Sequence, residues 1–555
     1  MTRRLLAATA FAAVLCAAAA ARADDTKPVQ LPNDIPDMHE EALSAGIDHK
    51  YTGGWEFFVG GGVAAFDCNG DRKPDLFIAG GTSPAALYRN DSSTGGALKF
   101  TKVDMGIAPE DLTNVLGAYP LDIDGDHLMD LVVLRLGRNL ILQGKGACQF
   151  KVANSAFAFD GGRDWTTAFS ATWEQGQVYP TLAFGNYVDR KAPGAPWGTC
   201  SDNYLDRPSS KDKPDYSDPI ALSPSYCTLS MLFTDWNQSG VPALRVANDR
   251  QYYRGGEEQM WHVDPAKPPR LYTASEGWQH LVIYGMGIAQ AAIFGNSYPV
   301  YAITSMGDTK LQQLSEESDN DRPVYQDIAY PLGVAAARPY TGGDVRPSTG
   351  WHSQFADFNN DGLLDLFISK GNVGSMPDFA AKDPNNLLLG QWNKTFLEAG
   401  DKAGIATMLN GRGAAAVDLN MDGMLDLVVV NREANVSVFR NLGNKTTWGD
   451  EPLGNWLEVE LAQTGGNVNA VGARINVKAG VNVMDRTVSV GGGHASGQAG
   501  FVHIGLGTAE RANIRVQWPD GEWSHSYRVF ANNFVRIQRG QPDAEYWLPE
   551  PASGN

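Results

Sequence analysis

The chain has 555 residues, of which 43% are hydrophobic and 19% are charged, and its formal net charge at pH 7 is −18. This length predicts two or three domains, and the composition is that of a globular protein and not of a disordered one. The acidic charge argues against binding to nucleic acid phosphates, which requires a basic surface, and it is compatible with bound cations.

The first 23 residues have the features of a secretory signal peptide. Arg3 and Arg4 precede an apolar run from Leu5 to Ala20, and Ala21-Arg22-Ala23 supplies the small residues that a cleavage site requires. The apolar run is too short to span a membrane comfortably, and no other run of spanning length follows it. The sequence therefore predicts an exported protein, periplasmic or extracellular, without a membrane span.

Four cysteines remain after the signal peptide, namely Cys68, Cys148, Cys200 and Cys227. An even number of cysteines in an oxidising compartment predicts two disulfides. Three pairings are possible, and we favour Cys200 with Cys227, which would close a Pro- and Ser-rich insertion. This insertion, Pro193 to Tyr226, is either a binding loop or a variable surface loop.

A pattern of strand, acidic loop and second strand recurs seven times along the chain. The loops begin at residues 67, 122, 173, 235, 292, 357 and 418, so neighbouring loops are 51 to 65 residues apart. A nearly constant period of this size is typical of a propeller or an array with one supersecondary unit per repeat. Because each unit has room for four short strands, the sequence predicts an all-β fold with a seven-bladed β-propeller over residues 24–447.

The N-terminal segment is predicted to close this propeller. The string HEEALSAGIDH (His39 to His49) resembles LEAGDKAGIATM (Leu397 to Met408), which precedes the inner strand of the seventh repeat. No equivalent stretch follows Asn441, so the N-terminal segment would supply the outer strand of the last blade and leave no open sheet edge.

Residues 448–545 have the pattern of a second β domain. Alternating runs such as RINVKAG and NIRVQW are separated by glycine, Pro-Asp-Gly and Asn-Asn turns, which predicts a small β-sandwich or barrel, followed by a tail at 546–555. His494 and His503 lie in Gly-rich surroundings, where they either form a site or, on the simpler interpretation, occupy ordinary turn and strand positions. We expect Trp518 to be a packing residue.

The acidic loops fit the template D-x-[DN]-x-D-G-x-x-D, which predicts calcium binding. Calcium takes about six to eight oxygen ligands, which positions 1, 3, 5 and 9 can supply from side chains and position 7 from its carbonyl. Several carboxylates in one loop repel one another unless a cation joins them. The predicted ligands in the first, second, sixth and seventh repeats are Asp67, Asn69, Asp71, the Lys73 carbonyl and Asp75; Asp122, Asp124, Asp126, the Leu128 carbonyl and Asp130; Asp357, Asn359, Asp361, the Leu363 carbonyl and Asp365; and Asp418, Asn420, Asp422, the Met424 carbonyl and Asp426.

Some loops depart from the template. Arg72 and His127 stand where glycine is expected in the first and second loops, a position that needs a positive φ. The loop at 235 keeps Asp235 and Asn237 but lacks the later acids, and the loops at 173 and 292 lack the carboxylate set altogether. We therefore expect weak binding or none at 235 and purely structural loops at 173 and 292.

The repeat units resemble FG-GAP/VCBS repeats, as found in integrin α-chain propellers and in many bacterial exported proteins. The stretch from Asn455 to Gly540 resembles the ASPIC/UnbV domain in its strings NVNAVGARINVKAG, VSVGGGHASGQAG, HIGLG and VQWPDGEW. A propeller followed by ASPIC/UnbV is similar to the cartilage acidic protein family and its bacterial relatives. The resemblance implies a propeller fold and calcium binding, and it does not imply a biochemical role.

The sequence contains no G-x-S-x-G elbow, H-E-x-x-H pair or P-loop. The other candidate side chains are isolated in sequence and would meet only at the axis of a propeller; they are His352 beside Trp351, His262 beside Trp261, and Glu257 with Glu258. We predict a non-enzymatic, calcium-binding module that binds or scaffolds a protein or glycan partner. Two alternatives stay open: an enzyme with an axial site, such as a polysaccharide lyase or a quinoprotein-like dehydrogenase, and an accessory subunit of an exported complex.

Overall fold

A computed structural model describes residues 34–191, 199–249, 256–446 and 449–549. The predicted signal peptide, most of the predicted tail and the first residues of the insertion at 193–226 lie outside these ranges. Within these ranges the helices are short, namely α1 (Ala329–Leu332) and three 3-10 turns (Trp55–Phe57, Pro109–Leu112 and Ala274–Glu276). Within the described ranges, no helix is long and apolar enough to cross a membrane.

The seven sequence repeats each contribute strands to an antiparallel unit whose loop between the first two strands is the acidic loop or its counterpart. In chain order the strands are β1 (Met38–Glu40); β2 (Val63–Phe66), β3 (Asp75–Ile78), β4 (Ala86–Asn90) and β5 (Phe100–Val103); β6 (Val115–Leu121), β7 (Asp130–Arg135), β8 (Leu140–Gly144) and β9 (Phe150–Val152); β10 (Thr166–Thr172), β11 (Thr181–Asn186), β12 (Val188–Asp189), β13 (Thr199–Cys200), β14 (Asn203–Asp206) and β15 (Ile220–Leu222); β16 (Thr228–Thr234), β17 (Ala243–Asn248), β18 (Gln259–His262) and β19 (Arg270–Leu271); β20 (Gly285–Ala291), β21 (Val300–Gly307), β22 (Lys310–Leu314) and β23 (Tyr325–Asp327); β24 (Ser348–Ala356), β25 (Asp365–Lys370), β26 (Asn386–Gly390) and β27 (Phe396–Glu398); and β28 (Asn410–Val417), β29 (Asp426–Arg432) and β30 (Ser437–Asn441).

The first strands of the units form the inner wall of a ring. Strands β2, β6, β10, β16, β20, β24 and β28 contact one another in this order, and β28 contacts β2 again. Every residue of β6, β10 and β16 is buried, as expected for strands that are covered on both faces. The all-β, propeller-like fold predicted from the repeat is therefore confirmed.

The N-terminal strand closes the ring, as predicted. Strand β1 pairs antiparallel with β30, with Met38 opposite Asn441 and Glu40 opposite Phe439. The last unit is thus built from both ends of the ring-forming chain, which leaves its outer edge paired and removes an open site for aggregation.

The C-terminal strands form two further four-stranded sheets. After the hairpin β31 (Asn444–Thr446) and β32 (Gly449–Glu451), the strands are β33 (Asn455–Ala462), β34 (Arg474–Ala479), β35 (Asn482–Thr487), β36 (Val490–Gly491), β37 (Gly497–Gln498), β38 (Val502–Gly507), β39 (Arg511–Gln517), β40 (Tyr527–Phe530), β41 (Asn533–Gln538) and β42 (Glu545–Trp547). One sheet has the order β38-β33-β41-β42 and the other β35-β34-β39-β40. Both sheets contribute to one apolar core, which includes Trp518 as a packing residue. We refer to this part of the chain as the C-terminal β domain.

Two disulfides are present, Cys68–Cys148 and Cys200–Cys227. The favoured pairing of Cys200 with Cys227 is confirmed. The first bond joins the acidic loop of the first unit to the second unit, and the other joins β13 to the start of β16, so each connects neighbouring units of the ring.

Removing the N-terminal strand should open the ring. A protein without residues 24–50 lacks β1, so the edge of β30 is left unpaired, and we expect a lower melting temperature and concentration-dependent aggregation. Thermal melting and light scattering check this, with a deletion of residues 24–33, which keeps β1, as the control. A monomeric 24–50 deletion that melts like the control would contradict closure by this strand.

Candidate functional site

The last aspartate of each predicted calcium loop ties that loop to the sheet. Its two carboxylate oxygens accept the main-chain N–H of the second loop residue and the N–H at the end of the unit's third strand, at 2.7–2.9 Å. The four completely buried aspartates at this position are Asp75, Asp130, Asp365 and Asp426. Position 9 therefore fixes the loop against the third strand through two main-chain hydrogen bonds.

The first aspartate of each loop holds the turn. It accepts, at 2.7–2.9 Å, the N–H of the residue at position 6, and the four donors are Arg72, His127, Gly362 and Gly423. All four have φ between 66° and 88°. Arg72 and His127 thus adopt the conformation that favours glycine, and the first and second loops keep the same turn as the sixth and seventh.

The carboxylates converge most clearly in the second loop. Ligand oxygens of Asp122, Asp124 and Asp130 lie within 4.8 Å of one another. Among the described residues, Asp124 Oδ1 is buried without a hydrogen-bond partner, and so is Asn420 Oδ1 in the seventh loop. A buried oxygen without a partner costs free energy, and a set of such oxygens has the donor chemistry that calcium prefers.

Burial and mutual repulsion both raise the pKa of these carboxylates. Burial raises the pKa of Asp75 to about 7 and that of Asp122 to about 6. Burial and the neighbouring Asp357 and Asp361 carboxylates raise the pKa of Asp365 well above its usual range. A bound cation would oppose both effects, because it favours the ionised form of each ligand.

The loops at 173 and 235 are stabilised by other means. In the loop at 235, Asp235 accepts the N–H groups of Ser239 and Gly240 at 2.8 and 2.9 Å, so the turn forms without the full set of acids. In the loop at 173, the buried Glu174 is paired with Arg207 at 2.6 Å. This carboxylate is already neutralised by a side chain of its own unit.

The C-terminal β domain lies against the acidic loops of the first two units. Arg72 of the first loop is 3.6 Å from the Glu460 carboxylate and stacks over the Trp547 ring at 5.3 Å. In the second loop, Gly125 faces Gly466 so closely that a Cβ on Gly125 would lie 3.4 Å from the Gly466 Cα. These contacts place one end of the domain over the first and second loops.

The same domain also covers the sixth and seventh loops. His503 Nε2 is 2.6 Å from Asn360 Oδ1 in the sixth loop, and His503 Nδ1 is 2.6 Å from Glu458. In the seventh loop, Trp456 packs directly against Gly423, where a Cβ would overlap the indole ring at 1.8 Å. The four loops with complete acidic sets therefore all meet the C-terminal β domain, and so does the loop at 173, where a Cβ on Gly466 would lie 1.7 Å from the Val178 carbonyl oxygen.

A Gly-rich segment of this domain, residues 490–500, enters the ring and is called the axial loop here. Its strand β36 pairs antiparallel with β10 and β16, and β37 pairs parallel with β2. Isolated bridges join Ser496 to Ala118 of β6 and Gly493 to Ile288 of β20. The two remaining inner strands, β24 and β28, contact the axial loop through side-chain and close main-chain approaches. The axis of the ring is thus filled by the chain's own backbone.

The tip of the axial loop is His494, which is completely buried. Its Nε2 accepts the Gly60 N–H at 3.1 Å, and its main-chain N–H donates to His352 Nδ1 at 3.1 Å. The imidazole lies 5.0 Å from the Trp351 ring, and the Arg412 guanidinium covers that ring at 4.1 Å. Burial lowers the pKa of His494 to about 3 and that of His352 to about 4, so both rings are neutral packing groups at neutral pH.

The ring thus brings together His352 and His494, which are far apart in sequence. The other isolated candidates remain outside this cluster. His262 lies on β18, stacked on Tyr272 at 3.4 Å and 3.1 Å from Glu276. His494 lies in a bend, which agrees with the interpretation that it occupies an ordinary turn position. Its insertion into the axis of the ring was not predicted. The Gly-rich string VSVGGGHASGQAG was the only local signal for it.

Comparison with known proteins agrees with this architecture. A model described as "FG-GAP-like repeat" matches residues 67–133 and 357–429, and one described as "ASPIC and UnbV" matches residues 463–544. Cartilage acidic protein 1 of Mus musculus is 31% identical over 181 residues, which is 30% of this chain and 25% of that protein. The Homo sapiens protein of the same name is 31% identical over 181 residues, which is 30% of this chain and 24% of its own length. The chain thus spans about a quarter of the length of these relatives.

Among solved structures, a match is found to BBS1N, which was crystallised in complex with ARL6DN and soaked with lead. It has a TM-score of 0.39 and 9% identity, and the match covers 73% of this chain and 97% of that one.

Fold and site together define a propeller-like repeat protein whose axis is filled by a docked β domain. Its sequence combines FG-GAP-like repeats with a C-terminal ASPIC and UnbV domain, so the predicted resemblance is confirmed.

The close approach of the axial loop to the inner strands gives a test of its contribution to stability. A Cβ added to Gly62 would lie 1.8 Å from the Ala495 carbonyl oxygen. We expect Gly62→Ala to lower the free energy of unfolding by roughly 1–3 kcal/mol, because a main-chain contact cannot move aside without disturbing the axis.

Denaturant unfolding measures this effect. The control is Gly54→Ala, because Gly54 has a φ of −73° and no atom within 4 Å of an added Cβ. Equal free energies of unfolding for the two variants would contradict the prediction, because they would show that the axial loop moves aside without loss of stability.

Proposed function

We propose that this chain is an exported, calcium-binding module that binds or scaffolds a protein or glycan partner and is not an enzyme. The observation that carries the proposal is the filled axis. A propeller enzyme of the type considered from the sequence needs an open axial site, whereas here main-chain groups of the axial loop pair with the inner strands. Such an arrangement favours a rigid two-domain platform, on which recognition is left to surface loops and domain boundaries.

Calcium is proposed as the ion of the four acidic loops. The side-chain oxygens at positions 1, 3, 5 and 9 and the carbonyl at position 7 would hold it, as in the ligand sets predicted from the sequence. The fit rests on three features of the structure: the shared turn geometry, the convergence of Asp122, Asp124 and Asp130 within 4.8 Å, and the buried, unpartnered oxygens of Asp124 and Asn420. When bound, the ion would supply positive charge between buried carboxylates that otherwise repel one another.

Export is proposed on two grounds. The first residues have the pattern of a signal peptide, and two disulfides suit an oxidising compartment.

Calcium should act on stability. A ligand that binds only the folded state stabilises it by RT ln(1 + [L]/Kd), about 2.7 kcal/mol per site at a hundredfold excess over Kd. We expect calcium to raise the melting temperature of the wild-type protein and chelator to lower it, and Asp361→Ala to lose one ion and part of that shift. Elemental analysis after dialysis should find three or four calcium ions per chain.

The matched control is Gln177→Ala, in the loop at 173 that lacks the acidic set. This variant should keep the full calcium response in thermal melting. Identical wild-type melting curves in calcium and in chelator, or stoichiometric zinc in place of calcium, would overturn the calcium proposal.

Affinity capture from the exported fraction of the source cells tests the binding role. We expect a protein or glycan partner to be retained in calcium and released by chelator. Turnover of a polysaccharide that depends on calcium and is lost in folded Asp361→Ala protein would instead establish the enzymatic alternative.

A further inference from the structure

One face of the C-terminal β domain is open to solvent and rich in cations. In the sheet β35-β34-β39-β40, alternate residues such as Ile475, Ile514 and Val529 enter the apolar core. The residues between them point outward, and most of those on β34, β39 and β40 are exposed. This outward surface is called the basic face here, and its cations are Arg474, Lys478, Arg511, Arg515 and Arg528.

Carboxylates are scarce on the basic face, although the chain as a whole has a formal net charge of −18. Asp485 of β35 is 3.1 Å from Arg474, and Glu510 is exposed beside Arg511. The two acids of the turn after β39 are already bound, at 2.6 Å, by Arg539. Within the described chain, no acid forms a salt bridge with the following cations of the face: Lys478, Arg511, Arg515 and Arg528. The basic face therefore keeps a surplus of positive charge, which favours an anionic partner.

Three arginines of the basic face form a diagonal row across the sheet. Asn476 is paired with Arg515 on the next strand, and Asn513 is paired with Arg528 on the strand after that. Arg474, Arg515 and Arg528 are therefore each displaced by one strand and by two residues along the strands. With about 4.8 Å between strands and about 3.4 Å per residue, successive Cα atoms in the row are roughly 8 Å apart. Such a row suits a linear chain with repeated negative charges better than a single small anion.

Trp523 holds two guanidinium groups of this row in place. Arg474 Cζ lies 5.3 Å and Arg515 Cζ 4.9 Å from the centre of its ring. Arg515 Nε also donates to the Ser524 carbonyl at 3.5 Å. A guanidinium that is already ordered loses less entropy on binding, and its planar group binds a carboxylate through two parallel hydrogen bonds. The row therefore favours carboxylates as the negative groups of the partner.

The groups between the arginines favour a carbohydrate. The side-chain amides of Asn476, Asn513 and Gln517 lie among the arginines on β34 and β39, and amides both donate to hydroxyl groups and accept from them. A protein partner would need an apolar interface core, and a membrane would need an apolar surface to insert. The exposed apolar residues Val483 and Phe530 lie instead on the opposite edge strands, β35 and β40.

Nucleic acid fits the charge of the chain less well than a carbohydrate does. Duplex DNA carries about one negative charge per 1.7 Å, so the net charge of −18 opposes its approach strongly. A polysaccharide with one carboxylate per sugar is charged more sparsely, and a local surplus of cations is sufficient to hold it.

We propose that the basic face binds a linear polyuronate, that is, a polysaccharide whose sugars carry carboxylates. The carboxylates lie on Arg515 and Arg528, and sugar hydroxyls lie on the neighbouring amides of Asn476 and Asn513. This inference rests on the proposed binding function and names its partner class.

The test is binding of the full mature chain, in calcium, to immobilised decagalacturonate and decamannuronate, with fully methyl-esterified decagalacturonate as the uncharged probe. We expect at least one uronate to bind and the ester not to bind. The double variant Arg515→Gln, Arg528→Gln should weaken uronate binding by at least about tenfold, because two charge-assisted contacts are lost. The matched control is Lys102→Gln, Lys151→Gln, which removes two exposed cations from β5 and β9 of the ring and should bind like the wild type.

A decaglutamate peptide and vesicles of phosphatidylglycerol are tested beside the uronates, as probes for a protein and a membrane partner. Four outcomes overturn the inference: neither uronate binds, the ester binds as tightly as the acid, the two double variants bind equally, or only the peptide or the vesicles bind.

Thermal melting of the same samples in calcium and in chelator shows that the variants are folded and separates this failure from that of the proposed function. A preserved calcium shift without uronate binding removes the basic face as a polyuronate site and leaves the calcium-binding platform in place. Uronate binding without a calcium shift keeps the basic face and removes the calcium proposal.

Discussion

The structure depends on main-chain pairing between the axial loop and the inner strands of the ring. The approach is closest where the ring carries glycine, since a Cβ on Gly62 or Gly117 would lie 1.8 or 2.0 Å from the Ala495 carbonyl oxygen. The loop itself turns through Gly491, Gly492 and Gly493, whose φ values of 126°, 74° and 56° are accessible to glycine at little cost. Glycine on both sides of the contact therefore sets how closely the ring can close around its axis.

This pairing also determines where the C-terminal β domain lies. Strands β36 and β37 pair with the ring, while β35 before them and β38 after them belong to the two sheets of the C-terminal β domain, so the axial loop ties both sheets to the ring. The domain then buries Asn360 and Gly423 beneath His503 and Trp456 and excludes water from the neighbouring carboxylates. Burial raises the free energy of ionised aspartates. Binding of the proposed calcium in these loops would therefore be linked to docking of the domain, because the same burial that docking causes disfavours the ionised aspartates that the ion would stabilise.

The features that could be predicted from the sequence are those encoded by local patterns. The repeat predicts the strand-loop-strand units because alternating apolar strands and Asp-rich turns are recognisable within a few residues, and the match of His39–His49 to a later outer-strand segment predicts β1. The axial loop was not predictable, because its Gly-rich string is equally compatible with a surface turn and its partners lie hundreds of residues away. The contact between Gly60 and His494, for instance, spans 434 residues. The turn geometry at Arg72 and His127 was also not predictable from the sequence. Their left-handed conformation is enforced by hydrogen bonds to Asp67 and Asp122 and not by residue type.

The axial loop fills the centre of the ring and so changes where a partner could bind. Trp351, His352 and His494 form a buried, neutral cluster in which the Trp351 indole N–H, His352 Nδ1 and His494 Nε2 are hydrogen-bonded to main-chain groups. Main-chain groups of the axial loop occupy the centre of the ring, so a ligand cannot enter between the inner strands there without displacing them. Binding of the proposed partner would therefore fall to the outer loops of the ring and to the surface of the C-terminal β domain, because loops on a rigid scaffold can vary without disturbing the strands beneath them.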